Sequence, residues 1–463
     1  MSATPVPELG PRPVADAVVR TWQAGSLQYS KRGLVSLFSW LLWGDFTLFI
    51  MARAVPPVFQ LLLKKFEASN TLVAFLTGSL PAIIGLTIVP IVSYQSDRHR
   101  GKRGRRIPYL LFFTPVAMLA LVGLAFSPEI GSALHALLGR RSPGLNPSIL
   151  FCLGVDYAIF QMAMAVVAAS LFHALINDVV PRELLGRFYG LFRAFGLLAA
   201  MIFFYWGFGQ ADVYFRAILI GAGLLYGSGF TIMCFKVKEG AVNAPGAVAP
   251  PAGGFLRAAR VYLRDGFKRP YYLLIFLALN LTWLAFFPAN LFNLYFAQSV
   301  GLSLGAFGRI SALTSLISFG LSYGLGSLAD RFHPLRMHLV ILFLYALAVG
   351  WGSLFARTAT TFAVAFIAHE VLSGMWMTAT ASVTQRLFPQ AKFAQYVSAM
   401  GIFAAGLTMV ISPPIGGMLD HGYSYRSTYG VSFGFAVLAL ATSGLLYRKF
   451  RQYGGPGHYA APE

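Results

Sequence analysis

Long apolar segments separated by short polar connections repeat along the whole chain. A helix crosses a bilayer core about 30 Å thick with roughly 20 consecutive apolar residues. Segments of at least this length occur twelve times, and the longest of them indicate tilted helices or helices that extend beyond the hydrocarbon. The pattern predicts an all-α integral membrane protein with twelve transmembrane helices. The predicted spans are 34–62, 70–95, 107–126, 148–177, 188–209, 212–235, 271–297, 302–328, 337–356, 359–385, 394–419 and 427–447.

Only 11% of the 463 residues are charged, whereas 57% are hydrophobic. A soluble globular protein carries roughly 25% charged residues. The soluble classes, including nucleic-acid-binding proteins, are therefore excluded even though the formal net charge is +20. The two cysteines, Cys152 and Cys234, lie in apolar segments and provide neither a disulfide framework nor a metal-ligand cluster. We expect no cofactor and no nucleic-acid partner.

The basic residues predict how the chain is oriented in the membrane. Cytoplasmic connections of membrane proteins retain an excess of Lys and Arg. The connection 97–106 after the second helix is strongly basic, and most other basic residues lie on the same side, which both termini share. We therefore expect both termini in the cytoplasm and the chain in the cell (inner) membrane. Residues 1–33 are predicted to be a cytoplasmic segment rather than a cleaved signal peptide.

Two sequence motifs recur six predicted helices apart. Ser93–Arg98 ends the second helix, and Gly326–Arg331 ends the eighth helix in the same position. A second pair, Pro181–Phe188 and Pro389–Tyr396, follows the fourth and tenth helices. This order favours two related six-helix halves, a parallel repeat that transporters use. The predicted division is an N-terminal segment 1–33, a first bundle 34–235, a linker 236–270, a second bundle 271–447 and a tail 448–463.

The predicted linker has two parts. Residues 244–254 are rich in Pro, Gly and Ala, a composition typical of flexible linkers. Residues 255–267 place Arg257, Arg260 and Arg264 on one helical stripe, which suits a short helix in the headgroup layer. A solvated basic linker is the alternative.

The motif that ends the eighth helix resembles the loop signature of the major facilitator superfamily, although Ser93 replaces the usual glycine in the first half. A longer string resembles the glycoside-pentoside-hexuronide:cation symporters and the proton-coupled sucrose carriers. The resemblance implies the major facilitator fold and transport of a sugar or glycoside by alternating access. The string that carries it is Asp97-Arg98-x5-Gly104-Arg105-Arg106-x-Pro108-Tyr109.

Carboxylates at helix ends, surrounded by arginines, are candidates for gating. Charge-assisted hydrogen bonds can hold one helix against a neighbour in one conformation and release it in another. The alternative is that the arginines serve only membrane topology. The predicted gating residues are Asp97, Arg98, Arg105, Arg106, Asp330 and Arg331.

Ionisable side chains inside the predicted spans need a functional reason, because each costs at least about 2.5–3.5 kcal/mol to insert. Asp156 is interpreted either as a proton-binding or sugar-binding carboxylate or as a structural ion pair with Arg193. An acid in the fourth helix and an arginine in the fifth also resemble the sucrose carriers. The second helix contains no acidic residue, which favours coupling to H⁺ over Na⁺. The predicted proton-coupling residues are Asp156, Arg193, Asp45 and Glu370.

Amides and flat aromatic rings suit a sugar, because hydroxyl groups need donor–acceptor pairs and the C–H face of the ring packs on indole. Several such residues share one face of the seventh helix, where hydrogen bonding between helices is the alternative. In the tenth helix, the stripe that contains His369 and Trp376 is predicted to face the cavity, and Glu370 to pair with a neighbour. The predicted substrate-binding residues are Asp45, Gln60, Asp156, Gln161, Asn280, Trp283, Asn290, Asn293, His369 and Trp376.

The sequence favours proton-coupled symport of a sugar or glycoside by a monomer. Export of an amphipathic small molecule is an alternative, because apolar aromatics could also line a drug pocket. A non-transporting assembly factor of the same fold, resembling the pigment-delivery proteins of photosynthetic membranes, is a second alternative. No HExxH or paired-aspartate string accompanies the buried acids, so we expect no enzyme.

Overall fold

The computed structural model describes residues 21–240 and 267–462, except for the side chains of Ala169, Tyr323, Gly326, Asp330, Ala391 and Ala394. It contains twelve helices that are long and apolar enough to cross a membrane, which confirms the predicted number. They are α1 (Lys31–Lys65), α2 (Asn70–Arg98), α3 (Ile107–Leu138), α4 (Leu145–Val166), α5 (Arg182–Gln210), α6 (Phe215–Lys236), α7 (Pro270–Ser299), α8 (Leu304–Phe332), α9 (Pro334–Phe355), α10 (Ala359–Leu387), α11 (Phe393–Asp420) and α12 (Ser427–Gln452).

A β-hairpin precedes the twelve helices in the chain, and a short helix follows them. A β-hairpin of β1 (Trp22–Ala24) and β2 (Leu27–Tyr29), which the sequence did not predict, precedes α1. A short helix, α13 (Gly455–His458), follows α12. In addition, α4 continues through Phe172–Val179. The predicted interfacial helix at 255–267 lies outside the described residues apart from Phe267.

The same helix pairings occur in both halves of the chain. In the N half (α1–α6), α1 packs on α5 and α6, α3 packs on α4 and α6, and α2 packs on α4. In the C half (α7–α12), α7 packs on α11 and α12, α9 packs on α10 and α12, and α8 packs on α10. Each pairing in one half has its counterpart six helices later, as expected of a parallel structural repeat.

Because the number of crossings is even, Lys31 at the start of α1 and Gln452 at the end of α12 lie on the same side of the bundle, here named the termini side. The halves meet through α2 with α11 and through α5 with α8. The contact of α2 with α11 is strongest near Asn70–Ala74, where α2 begins on the opposite side. The bundle is therefore closed on the side opposite the termini.

Candidate functional site

A carboxylate of the C half caps the first turn of a helix in the N half. Asp420, the last residue of α11, accepts hydrogen bonds from the backbone amides of Asn70 (2.7 Å) and Thr71 (2.9 Å). It also accepts from the Thr71 hydroxyl (2.6 Å) and the Asn70 side-chain amide (3.0 Å). The first amides of a helix have no partner within the helix and lie at its positive end, where a carboxylate is stabilising. We name this contact the Asp420 latch.

Further hydrogen bonds join the halves below the latch. Ser412 of α11 donates to the Ala74 carbonyl (2.5 Å), and Ser79 of α2 donates to the Met409 carbonyl (2.9 Å). Between α1 and α7, Gln60 donates to the Leu291 carbonyl (3.2 Å). In this conformation the Gln60 amide closes the interface, and its role in substrate binding stays a prediction.

Polar groups of both halves converge nearer the middle of the bundle. His369 of α10 lies with Nε2 2.7 Å from Asn290 Oδ1 of α7 and 3.8 Å from Glu370 Oε1. Arg53 of α1 lies within electrostatic range of both Glu370 and Arg193. Arg193 of α5 crosses between the halves and donates to the Thr378 hydroxyl of α10 (2.8 Å). We name Arg53, Arg193, Asn290, His369 and Glu370 the central polar cluster.

The structure reverses the predicted faces of α10. His369 is fully buried, and its Nδ1 lies 2.9 Å from the Tyr345 hydroxyl of α9. Trp376 is buried too, and its indole N–H donates to His338 Nδ1 of α9 (2.8 Å). The stripe predicted to face the cavity is instead packed inside the C half, because α9 supplies the partners that a buried imidazole and a buried indole require. The Glu370 side chain remains 36% exposed and is the carboxylate of the central polar cluster.

Only part of the predicted amide face of α7 reaches this cluster. Asn290 is exposed and accepts from His369, and Trp283 is exposed as well. Asn280 is buried and donates to the Phe276 carbonyl of its own helix (2.8 Å). Asn293 is buried and accepts from the Tyr429 hydroxyl (3.0 Å). The last two amides therefore pack within the C half in this conformation, and their contacts with a sugar stay a prediction.

Asp156 does not pair with Arg193 in the described part of the chain. Its carboxylate accepts from the Ser127 hydroxyl of α3 (2.9 Å) and lies against Gly123 of the same helix. The absence of a side chain at Gly123 leaves the space that the carboxylate occupies, so α4 turns this acid towards α3. Gln161 donates to the Tyr157 hydroxyl one turn away on α4 (3.0 Å). The structure thus places both residues in helix packing of the N half.

Among the described residues, Asp45 is an acid that is buried without a hydrogen-bond partner. Its side chain is 0% exposed, and neither carboxylate oxygen has a hydrogen-bond partner among the described residues. One turn further along α1, Phe49 packs on Phe192 of α5 and against Gly196. A fully buried, ionised carboxylate without a partner is strongly unfavourable. This conformation therefore accommodates Asp45 in its neutral, protonated form.

The predicted gating residues of the first half form a network inside the N half. Arg106 pairs with Asp97 at the end of α2. Arg105 donates two hydrogen bonds to the Asp178 carboxylate, from Nη2 (2.7 Å) and from Nε (3.2 Å). Partial burial opposes the charge of Arg105, but Asp178 and its acidic neighbours raise the pKa of Arg105 above its ordinary value. Glu239, after α6, accepts from the backbone amides of Arg106 (2.9 Å) and Ile107 (3.3 Å).

The remaining gating residues lie outside this network. The guanidinium of Arg98 lies over the Tyr94 ring, 4.1 Å from its centre, and that of Arg331 lies 5.5 Å from the centre of the Phe332 ring. The Asp330 side chain is outside the described residues. In the described part of the chain, no three His, Cys, Asp or Glu side chains are grouped as a metal site.

Two repeated six-helix halves with a closed face and a polar cluster between them define a multi-pass membrane transporter of small molecules. The chain belongs to the Major Facilitator Superfamily, whose family model matches residues 46–404 and, in a second alignment, residues 275–458. It is therefore a transporter and not an enzyme. No curated protein sequence matches the chain.

Solved structures with the same fold include transporters of different compounds. The nucleoside transporter NupG is 9% identical, with a TM-score of 0.67 over 89% of this chain and 100% of that one. A bacterial homologue of the human lysosomal transporter Spinster, inward-facing and occupied, is 15% identical, with a TM-score of 0.64 over 94% and 100%. The xylose transporter XylE from E. coli, inward open, is 15% identical, with a TM-score of 0.59 over 89% and 94%. At these identities the likeness concerns the fold alone.

Proposed function

We propose that this chain is a monomeric secondary active transporter that moves a sugar or glycoside together with a proton across the cell membrane. The observation that carries the proposal is the central polar cluster, to which both halves contribute. Arg53 and Arg193 offer hydrogen-bond donors, Glu370 offers acceptors, and the Asn290 amide offers both. A polyol needs both kinds of partner, and the exposed indole of Trp283 suits the apolar face of a sugar ring.

Alternating access follows from the position of this cluster relative to the closed side. The Asp420 latch and the hydrogen bonds of Ser412 and Ser79 separate the cluster from the side opposite the termini. With both termini in the cytoplasm, as the basic residues indicate, this arrangement is the inward-facing conformation. Rocking of the halves would break the latch and expose the same cluster to the other side. We propose that two groups of residues gate the termini side. They are the network of Asp97, Arg105 and Arg106 in the N half and the residues Asp330 and Arg331 in the C half.

The proton site that we propose first is Asp45. A carboxylate that is neutral while buried and charged when water reaches it binds the proton differently in two conformations, which is the requirement for coupling. Asp156 remains a second proposal, although its hydrogen bond from Ser127 gives it a partner in this conformation. Glu370 is a third, since it faces Arg53 across the halves.

Transport by purified protein in liposomes tests the proposal. We expect uptake of at least one member of a panel of labelled mono- and disaccharides, and accumulation only when a proton gradient is applied. Arg193→Gln should abolish uptake, whereas Arg448→Gln, an equal change of charge at an exposed position near the end of α12, should not. Absence of uptake for the whole panel, with efflux of an amphipathic cation instead, would replace the proposal by the exporter alternative.

A further inference from the structure

A groove lies between α3 and α6 and opens away from the C half. The extensive contacts of these two helices are with each other and with α1 and α4 of the same half. Phe112 and Leu119 of α3 and Leu224 of α6 are more than half exposed, as expected of side chains that face lipid. The residues along the walls of the groove are Leu111, Pro115, Met118, Gly227, Thr231 and Phe235.

The groove extends over most of the depth of one leaflet. Its walls run from Leu111 to Met118 on α3, about 10 Å along the helix, and from Gly227 to Phe235 on α6, about 12 Å. Half of a bilayer core is about 15 Å. On α6, Gly227 lets the Met118 side chain lie against the helix at the deep end, because a Cβ atom there would stand 2.6 Å from the Met118 sulfur. The groove therefore has the apolar lining that an acyl chain requires over most of the depth of one leaflet.

The mouth of the groove is basic. Arg103 lies at the mouth, with its guanidinium 5.0 Å from the centre of the Phe235 ring. The Glu239 carboxylate, which is almost fully buried, caps α3 and so fixes the end of α6 beside the α2–α3 connection. This brings the connection, where Lys102 and Arg103 are exposed, to the end of α6, where Lys238 is exposed. The Lys236 ammonium is directed to α1 instead, 5.8 Å from the centre of the Trp40 ring.

We propose that this groove binds one anionic phospholipid, with an acyl chain between α3 and α6 and the phosphate on Arg103. Arg103 lines the mouth, with the exposed Lys102 next to it in the chain, and the nearby Glu239 carboxylate already accepts from the Arg106 and Ile107 amides and lies 3.8 Å from Arg105. A basic pocket between transmembrane helices at the membrane surface is the arrangement that recognises anionic headgroups. The site is distinct from the central polar cluster, so it does not depend on the transported substrate.

Native mass spectrometry of the detergent-purified full chain tests the proposal. Dioleoyl phosphatidylglycerol and dioleoyl phosphatidylcholine are the probes, and the parent should retain the former over the latter. Arg103→Gln should lower retention of phosphatidylglycerol by about fivefold, as expected for one cation at the membrane surface. Arg448→Gln, an equal loss of charge on α12 at the same side, should leave it unchanged.

A second variant tests the groove itself. Thr231→Phe fills it without any change of charge and should lower retention of phosphatidylglycerol although Arg103 is intact. If this variant does not fold, the comparison of the two arginine variants decides alone. Equal retention of both lipids by the parent, equal losses in the two arginine variants, or full retention by a folded Thr231→Phe protein would each overturn the proposal.

Discussion

Asp420 binds Thr71 twice, through its backbone amide at 2.9 Å and through its hydroxyl at 2.6 Å. Asp420 ends α11, where a negative charge is unfavourable for the dipole of its own helix. The same charge is favourable at the start of α2, because Asn70 and Thr71 present amides without helical partners. The position of this acid is therefore explained by the other half of the protein.

The Asp420 latch should control access from the side opposite the termini. Asp420→Asn removes the charge from several hydrogen bonds, each of which contributes about 1.5–3 kcal/mol when charged. The closed state should lose stability relative to the open state by at least about tenfold in equilibrium constant. The measurement is the rate at which an impermeant thiol reagent labels Ser412→Cys, a position fully buried under the latch, in a background with Cys152→Ala and Cys234→Ala.

The control is Asp212→Asn, which removes an equal charge from the exposed α5–α6 connection on the same side. In this control variant, the thiol reagent should label Ser412→Cys at the parent rate. Equal labelling of Asp420→Asn and the parent would mean that the hydrogen bonds below the latch close the interface without it.

Asp45 should be the group that couples transport to protons. Asp45→Asn resembles the neutral acid, so the fold and the exchange of substrate across the membrane should be retained. Accumulation driven by a pH gradient should be lost, because the side chain can no longer release a proton. The measurement is accumulation and counterflow of the same labelled substrate in liposomes at several pH values.

Asp156→Asn is the matched comparison for Asp45. It removes an acid that already has a partner in Ser127, and gradient-driven accumulation should persist. The reverse result, with accumulation lost only in Asp156→Asn, would move the proton site from α1 to α4.

Two amides of α7 should behave differently although both are asparagines. Asn290→Ala removes a group of the central polar cluster and should raise the KM of uptake, by an amount that corresponds to about 1–3 kcal/mol. Asn280→Ala removes an amide that binds its own helix, so the KM should stay near the parent value. Uptake kinetics and thermal unfolding of both variants separate these effects. A similar rise of KM in both would place Asn280 in the site.

The pair of Arg106 and Asp97 should affect turnover rather than binding. Asp97→Asn weakens a contact on the termini side, away from the central polar cluster. We expect a lower kcat with an unchanged KM, because the substrate meets the same groups while the movement of α2 is altered. An unchanged kcat would show that the arginines of this connection serve topology alone.

Several features of this protein follow from short stretches of its sequence. The twelve helices were predictable because apolar length alone decides whether a segment crosses a bilayer. The repeat was predictable because motifs such as Ser93–Arg98 and Gly326–Arg331 recur in order. Asp97, Arg105 and Arg106 could be named as gating candidates from the sequence, because an acid at a helix end with arginines around it can form charge-assisted hydrogen bonds.

The orientation of single side chains was decided only by tertiary structure. Adjacent residues on a helix point about 100° apart, so a rotation of α10 determines whether His369 or Glu370 meets the other half, and the partners Tyr345 and His338 on α9 fix that rotation. Asp156 faces α3 because of a glycine 33 positions earlier in the chain, Gly123. The Asp420 latch joins positions about 350 residues apart. Such pairs are set by how helices pack, and a pattern read along one helix contains no information about its neighbours.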